Sequence, residues 1–261
     1  MSVQDLLTLL SGAVVGFSLG LIGGGGSVLA VPLLLYVVGV RDPHVAIGTS
    51  ALAVALNAFA NLAQHARAGT VKWPCAVTFA AAGVVGAVIG STIGKLINGQ
   101  HLLALFAIVM IAVGLSMLHG RAGDGDPAAH MDAKMAPKLV LVGLGAGLLS
   151  GFFGIGGGFL IVPGLILSSG MPIINAVGSS LFSVGAFGIT TATNYALSGL
   201  VDWRIAVVFI IGGVGGGMLG MRLAVRLAAR RGVLVRVFAF VLFAVAAYML
   251  YRSAGPLLGL Q

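Results

Sequence analysis

The sequence predicts an all-α integral membrane protein of two inverted-topology repeats, each a re-entrant glycine-rich helical hairpin plus three transmembrane helices. Three observations predict it. The chain is too poor in charge to face water, it carries an internal duplication in register, and its Lys and Arg residues become unevenly distributed only if two segments fold back.

Hydrophobic residues make up 59% of the chain and charged residues 8%, where a soluble domain carries roughly 25% charged residues. Uncharged stretches of about 20 residues recur, long enough to cross ~30 Å of hydrocarbon. The first partner of the chain is therefore a lipid bilayer. Glu is absent, and 14 Lys+Arg against 6 Asp leave a net charge of +8. These basic residues sit between apolar spans and form no basic and aromatic stripe, so they read as topology signals and nucleic acid is excluded as a partner. The lone Cys75 forms no intrachain disulfide or multi-cysteine metal site and reads as a small buried residue. Met1 to Asp5 hold no positive charge, so no cleavable signal peptide is expected.

The duplication orders the elements. Shifted by 131, Gly12, Gly16, Gly20, Gly23, Gly25, Gly26, Leu29, Val31 and Pro32 fall on Gly143, Gly147, Gly151, Gly154, Gly156, Gly157, Leu160, Val162 and Pro163. Shifted by 130, Ala46, Gly48 and Ser50 meet Ala176, Gly178 and Ser180. At the same shift Gly69, Val71 and Trp73 meet Gly199, Val201 and Trp203, and Gly83, Gly86 and Gly90 meet Gly213, Gly216 and Gly220. Glycine richness alone does not align Val-Pro and Gly-x-Val-x-Trp patterns, so the halves 1–119 and 138–261 are repeats.

The first repeat reads as a hairpin over 5–40 and spans at 46–66, 75–94 and 102–118. A polar linker, 120–137, follows. The second repeat reads as a hairpin over 138–170 and spans at 174–197, 205–222 and 234–251. Segments 5–40 and 138–170 are too long for one straight crossing and are interrupted by glycine near the middle. If each crosses once, Lys and Arg divide seven against seven; if each folds back, they divide ten against four. The positive-inside rule selects the folded-back form. Both termini then lie outside the cell (inner) membrane, with the linker and the 222–236 loop cytoplasmic. A hairpin and three spans cross the membrane an odd number of times, so the second repeat is inverted. Arms of about 16 residues reach ~24 Å, short of a full crossing, so the hairpins are expected to be re-entrant.

The turns read Gly20-Leu-Ile-Gly-Gly-Gly-Gly-Ser27 and Gly151-Phe-Phe-Gly-Ile-Gly-Gly-Gly158. Irregular backbone at membrane depth survives where protein buries it or where it lines a cavity. A helix starts after each turn, and its first amides lack intrahelical partners. They carry partial positive charge toward the middle of the protein. Gly23, Gly25, Gly26 and Ser27, with Gly154, Gly156, Gly157 and Gly158, are thus candidate donors to a small anion. Pro32 and Pro163 kink the second arms or free a carbonyl there. The four-residue spacings Gly12-Gly16-Gly20, Gly143-Gly147-Gly151, Gly86-Gly90 and Gly212-Gly216-Gly220 read as helix-packing faces.

Span 46–66 carries Ser50, Asn57, Asn61 and Gln64 on one helical face. Its counterpart carries Ser180, Phe187, Thr191 and Asn194, with Thr49 and Ser179 alongside. Polar groups avoid lipid, so this face looks inward, either lining a solute pathway or hydrogen-bonding between helices. Thr49, Ser50, Asn57, Asn61, Ser179, Ser180 and Asn194 are the second set of candidate substrate-binding residues. No Asp lies deep in a span, which disfavours a cation and agrees with an anion held by neutral donors. Proton coupling, left open, would use the anion itself or His65. No His, Cys or Asp constellation has metal-ligand spacing and no cofactor motif is present, and a glycine loop without Gly-Lys-Ser/Thr after a strand is not a nucleotide site. A membrane enzyme would need a buried base or nucleophile that the sequence does not offer. A scaffold without transport and a homodimeric assembly both stay open.

Gly-x-x-Gly-x-Gly-Gly-Gly followed by Val-Pro at Gly151 to Pro163, its variant at Gly20 to Pro32, and the Gly-Thr/Ser-Ser and Gly-x-Val-x-Trp elements of both halves resemble the TauE/SafE sulfite exporter family. The resemblance covers nearly the whole chain. The first copy departs from the pattern at Gly24, where the second has Ile155, and at Ser27, where the second has Gly158. The resemblance implies a cell-membrane transporter of sulfite, organosulfonates or related sulfur-containing anions.

Overall fold

The computed structural model describes residues 2–119, 135–154, 158–226, 240 and 243–252. The 120–134 part of the expected linker, residues 227–236 of the expected loop and 234–239 of the last expected span lie outside the described residues.

Among the described residues every regular element is helical. The first half holds α1 (Val3–Ile22), a 3-10 turn (Gly23–Leu29), α2 (Ala30–Tyr36), α3 (Pro43–Arg67), α4 (Trp73–Leu96) and α5 (Gly99–His119). The second holds α6 (Ala136–Phe153), α7 (Gly158–Ser169), α8 (Ile173–Ala196), α9 (Trp203–Arg226) and a final helical stretch, α10 (243–252). Six of these helices, α1, α3, α4, α6, α8 and α9, are long and apolar enough to cross a membrane.

Local chemistry sets the ends. Ser2 Oγ accepts from the Asp5 amide at 3.1 Å while the Asp5 carboxylate accepts from the Ser2 amide at 2.8 Å, a reciprocal cap that starts α1. Asp42 accepts from the His44 amide at 2.7 Å, and Pro43 opens α3. After α3 and α8 the chain leaves through Gly69 and Gly199, with φ of 68° and 70°, a left-handed exit open to glycine.

The interior is built on exchange between the halves. α1 packs against α9, and α6 against α4. A Cβ added to Gly12, Gly16 or Gly20 would strike the backbone of Phe209, Gly213 or Gly217. One added to Gly212, Gly216 or Gly220 would strike Leu9, Ala13 or Phe17. The residue numbers rise together, so the two helices are parallel, with backbones touching along a ladder of small residues. α4 and α6 repeat this through Gly83 and Gly147, Gly86 and Leu144, and Gly90 and Leu148. α3 and α8 cross between these pairs.

Both glycine-rich segments interrupt their helices, but the arms are unequal rather than about 16 residues each. α1 has 20 residues and α6 has 18, or ~30 and ~27 Å of helix. α2 has 7 residues and α7 has 12. The break comes late because the positive-φ residues that set it are Gly23 (76°) and Gly154 (67°). The first segment doubles back there. A Cβ on Gly26 would meet Ser18 and Leu19 of α1, and Gln4 Nε2 donates to the Val38 carbonyl at 3.4 Å.

Candidate functional site

The two glycine turns touch. A Cβ on Gly24 would lie 2.5 Å from Gly158 Cα and 2.8 Å from Val184 Cγ2. Val184 is at the midpoint of α8, a helix of 24 residues. Each turn also leans on the opposite half: Gly23 on Val177 of α8, and Gly154 on Ile47 of α3, which are equivalent positions in the duplication. Gly23, Gly25, Gly26, Ser27, Gly154 and Gly158 are all buried. Gly156 and Gly157, the other expected donors, lie outside the described residues. Ser27 is already occupied, its Oγ donating to the Gly24 carbonyl at 2.8 Å.

The structure gives the polar candidates three different occupations. Ser50 Oγ donates to the Ile47 carbonyl at 2.9 Å and faces the Gly154 carbonyl at 3.4 Å, so it borders the second turn. Ser180 Oγ donates to the Val177 carbonyl at 2.8 Å. Thr49 Oγ1 accepts from the Asp202 amide at 2.9 Å, and Ser179 Oγ accepts from the Lys72 amide at 2.9 Å. These mirror-related bonds tie α3 to the entrance of α9 and α8 to the entrance of α4. Asn194 lies away from the turns, at the C-terminal end of α8. It donates to Ser91 Oγ at 2.7 Å and accepts from Lys95 Nζ at 2.8 Å. Lys95 also reaches the Asn194 carbonyl at 3.0 Å and Ser198 Oγ at 2.8 Å, a cation on the carbonyl end of a helix.

Asn57 and Asn61 are different. Both are buried, and neither Nδ2 nor Oδ1 of Asn57 has a partner. Asn61 Nδ2 donates to the Asn57 carbonyl at 2.9 Å, leaving its Oδ1 without one. His65 Nδ1 faces Thr70 Oγ1 at 3.0 Å, and its Nε2 is buried without a partner. No carboxylate joins this region among the described residues: Asp5 sits in the first turn of α1, where Arg204 pairs with it at 3.0 Å, and Asp42 and Asp202 precede α3 and α9.

Sequence reasoning missed three contributors. Gly24, where the first copy departs from the pattern and the second has Ile155, is not among the expected donors, yet it makes the turn-to-turn contact. Gly213 and Gly217 face the Asn57 and Asn61 amides. Their four-residue spacing was the available signal, offset by one from the packing ladder beside it.

A family model described as "Sulfite exporter TauE/SafE" matches residues 8–249. A Xylella fastidiosa protein named "Probable membrane transporter protein" is 56% identical over 255 residues, covering 97% of this chain and 98% of its own length. The Bacillus subtilis "Probable membrane transporter protein YunE" is 28% identical over 93% of this chain and 96% of its own. A Haemophilus influenzae protein of the same printed type is 30% identical over 74% of each. No solved structure matches the chain. With a family match over residues 8–249, relatives named as probable membrane transporters and six apolar helices of spanning length, the chain is a multi-pass membrane transporter and belongs to the TauE/SafE sulfite exporter family.

Proposed function

We propose that the chain is a secondary transporter of a small anion, sulfite or an organosulfonate or related sulfur-containing anion, working by alternating access around the two glycine turns. The observation that carries the reading is the backbone contact of Gly24 with Gly158 beside the midpoint of α8. Two interrupted helices meeting at mid-depth are a recurrent way to bind a solute in inverted-repeat carriers. The amides that open α7 have no intrahelical acceptor and present the positive end of its dipole. Neutral donors with no carboxylate nearby favour an anion. The sulfur chemistry rests on the family description and the relatives' kinship.

The exchange of α1–α9 for α6–α4 and of Thr49–Asp202 for Ser179–Lys72 supports inverted repeats, 1–119 and 138–261. The second arms, shorter than the spanning-length α1 and α6, support hairpins whose return leg stops inside the bilayer. The Lys and Arg distribution supports both termini outside the inner membrane and the linker and 222–236 loop in the cytoplasm. If flux follows a pH gradient, the solute or His65 carries the proton.

Counterflow in liposomes tests this reading. Purified protein should exchange labelled sulfite, with saturable competition by at least one of thiosulfate, sulfate and a panel of sulfonates. Gly158→Leu, whose side chain would enter the Gly24 backbone, should remove that flux. A wild-type protein that moves no anion under any gradient would overturn the reading.

A further inference from the structure

The duplication makes each seam of the bundle a control for the other. Asn57 and Phe187 are equivalent positions, and so are the glycines they press against. A Cβ on Gly213 would lie 2.6 Å from Asn57 Oδ1, and one on Gly83 would strike the Phe187 ring. In the α4–α8 seam, Phe187 is fully buried and stacks on Phe79, with ring centroids 6.4 Å apart and planes 24° from parallel. That joint is apolar and filled. The α3–α9 seam has the same glycine at the same place but holds carboxamides. Asn57, 0% exposed, has no partner for Nδ2 or Oδ1, and Asn61 Oδ1 has none either. Asn57 lies near the middle of the 25-residue α3, and Asn61 one turn nearer its C-terminal end.

Ser183 and Thr191, one turn either side of Phe187, also hold hydroxyls without a partner. The two cases are not alike. A helical hydroxyl satisfies itself by turning about one bond onto the carbonyl four residues back. A carboxamide can turn only an N–H onto that carbonyl, as Asn61 does onto Asn57, and its oxygen stays unpaired; Asn57 makes not even that bond. Buried polar groups are otherwise paired, so a mid-depth amide without partners is set for a polar guest.

We infer that the solute passes along the α3–α9 seam alone, with Asn57 as the specificity-determining contact that donates its N–H groups to the anion's oxygens, and that Phe187 on Phe79 is a hydrophobic stop sealing the matching seam. This rests on the transport reading above. A neutral amide recognises an oxyanion by direction and leaves no fixed positive charge to retain it.

The test exchanges the two seams. Asn57→Phe recreates a phenyl against glycine, which the fold already holds at the equivalent place, so the variant should remain monodisperse and keep its unfolding temperature. Its sulfite counterflow should fall by about tenfold or more, the factor that losing one hydrogen bond to a charged group carries. Phe187→Leu should keep most of the flux. Asn57→Gln should transport with a changed ranking of sulfite against sulfonates. Wild-type flux in Asn57→Phe, or an equal loss in Phe187→Leu, would overturn the inference. A second measurement needs no flux. In a Cys75→Ala background, Asn57→Cys should react with 2-sulfonatoethyl methanethiosulfonate and Phe187→Cys should not; the reverse pattern, or equal reaction, would overturn the inference. Absence of anion flux in the wild type would instead count against the transport reading, and the labelling contrast would still be readable.

Discussion

Thr49 and Ser179 illustrate what a single hydroxyl does here. Each sits beside the polar stripe, and each accepts a backbone amide from the other half at 2.9 Å. Removing the oxygen takes a hydrogen-bond acceptor away from a half-buried amide, which costs roughly 0.5–1.5 kcal/mol. Thr49→Val and Ser179→Val should therefore lower the unfolding temperature in detergent while leaving the apparent KM for the transported anion unchanged. A KM shift without loss of stability would return them to the pathway. The inward stripe itself was legible, since the spacing of Ser50, Asn57 and Asn61 fixes one helical face and all three are buried. Their occupations were not. Spacing along one helix cannot reveal a backbone amide that arrives from 153 residues away, as the Asp202 amide does for Thr49.

At the scale of the helix, α9 shows why glycine is hard to interpret in sequence. In one short run, Gly212 and Gly216 abut the α1 backbone, Gly213 and Gly217 abut the Asn57 and Asn61 amides, and Gly215 meets nothing within 4 Å. The composition is uniform but the roles rotate with the helix. Two substitutions should separate them. Gly16→Leu drives a side chain into the Gly213 backbone and should abolish folded, monodisperse protein. Gly215→Ala faces open space, and replacing a helical glycine adds roughly 1 kcal/mol, so it should raise the unfolding temperature. Expression and thermal unfolding of both variants check this. The same degeneracy hid the length of the hairpin arms. Four consecutive glycines allow a break at any of them, and only the backbone angle at Gly23 fixes it. The long spans carried no such ambiguity: 46–66 and 174–197 lie within or beside α3 (Pro43–Arg67) and α8 (Ile173–Ala196), because uninterrupted apolar runs between Pro or Asp and glycine have few alternative boundaries.

For the molecule as a whole, membrane orientation is the most accessible prediction. Cys75 is 3% exposed and should stay silent to an impermeant maleimide. Ala68→Cys, in the exposed α3–α4 turn, should be labelled only after permeabilisation of cells, and Leu197→Cys, 84% exposed after α8, should be labelled in intact cells. The opposite result would invert the topology drawn from the Lys and Arg distribution.

The glycine ladder between α1 and α9 also bears on how the protein is made. Asp5 and Arg204, which close that ladder at one end, are 199 residues apart in the chain. α1 leaves the ribosome well before α9 and therefore waits in the bilayer with a backbone-exposing groove that has no mate. α4 waits a shorter time for α6. A nascent chain halted before Trp203 would display that bare groove to any passing helix, and a fragment ending after α5 would find its natural mates only in a separately synthesised second fragment.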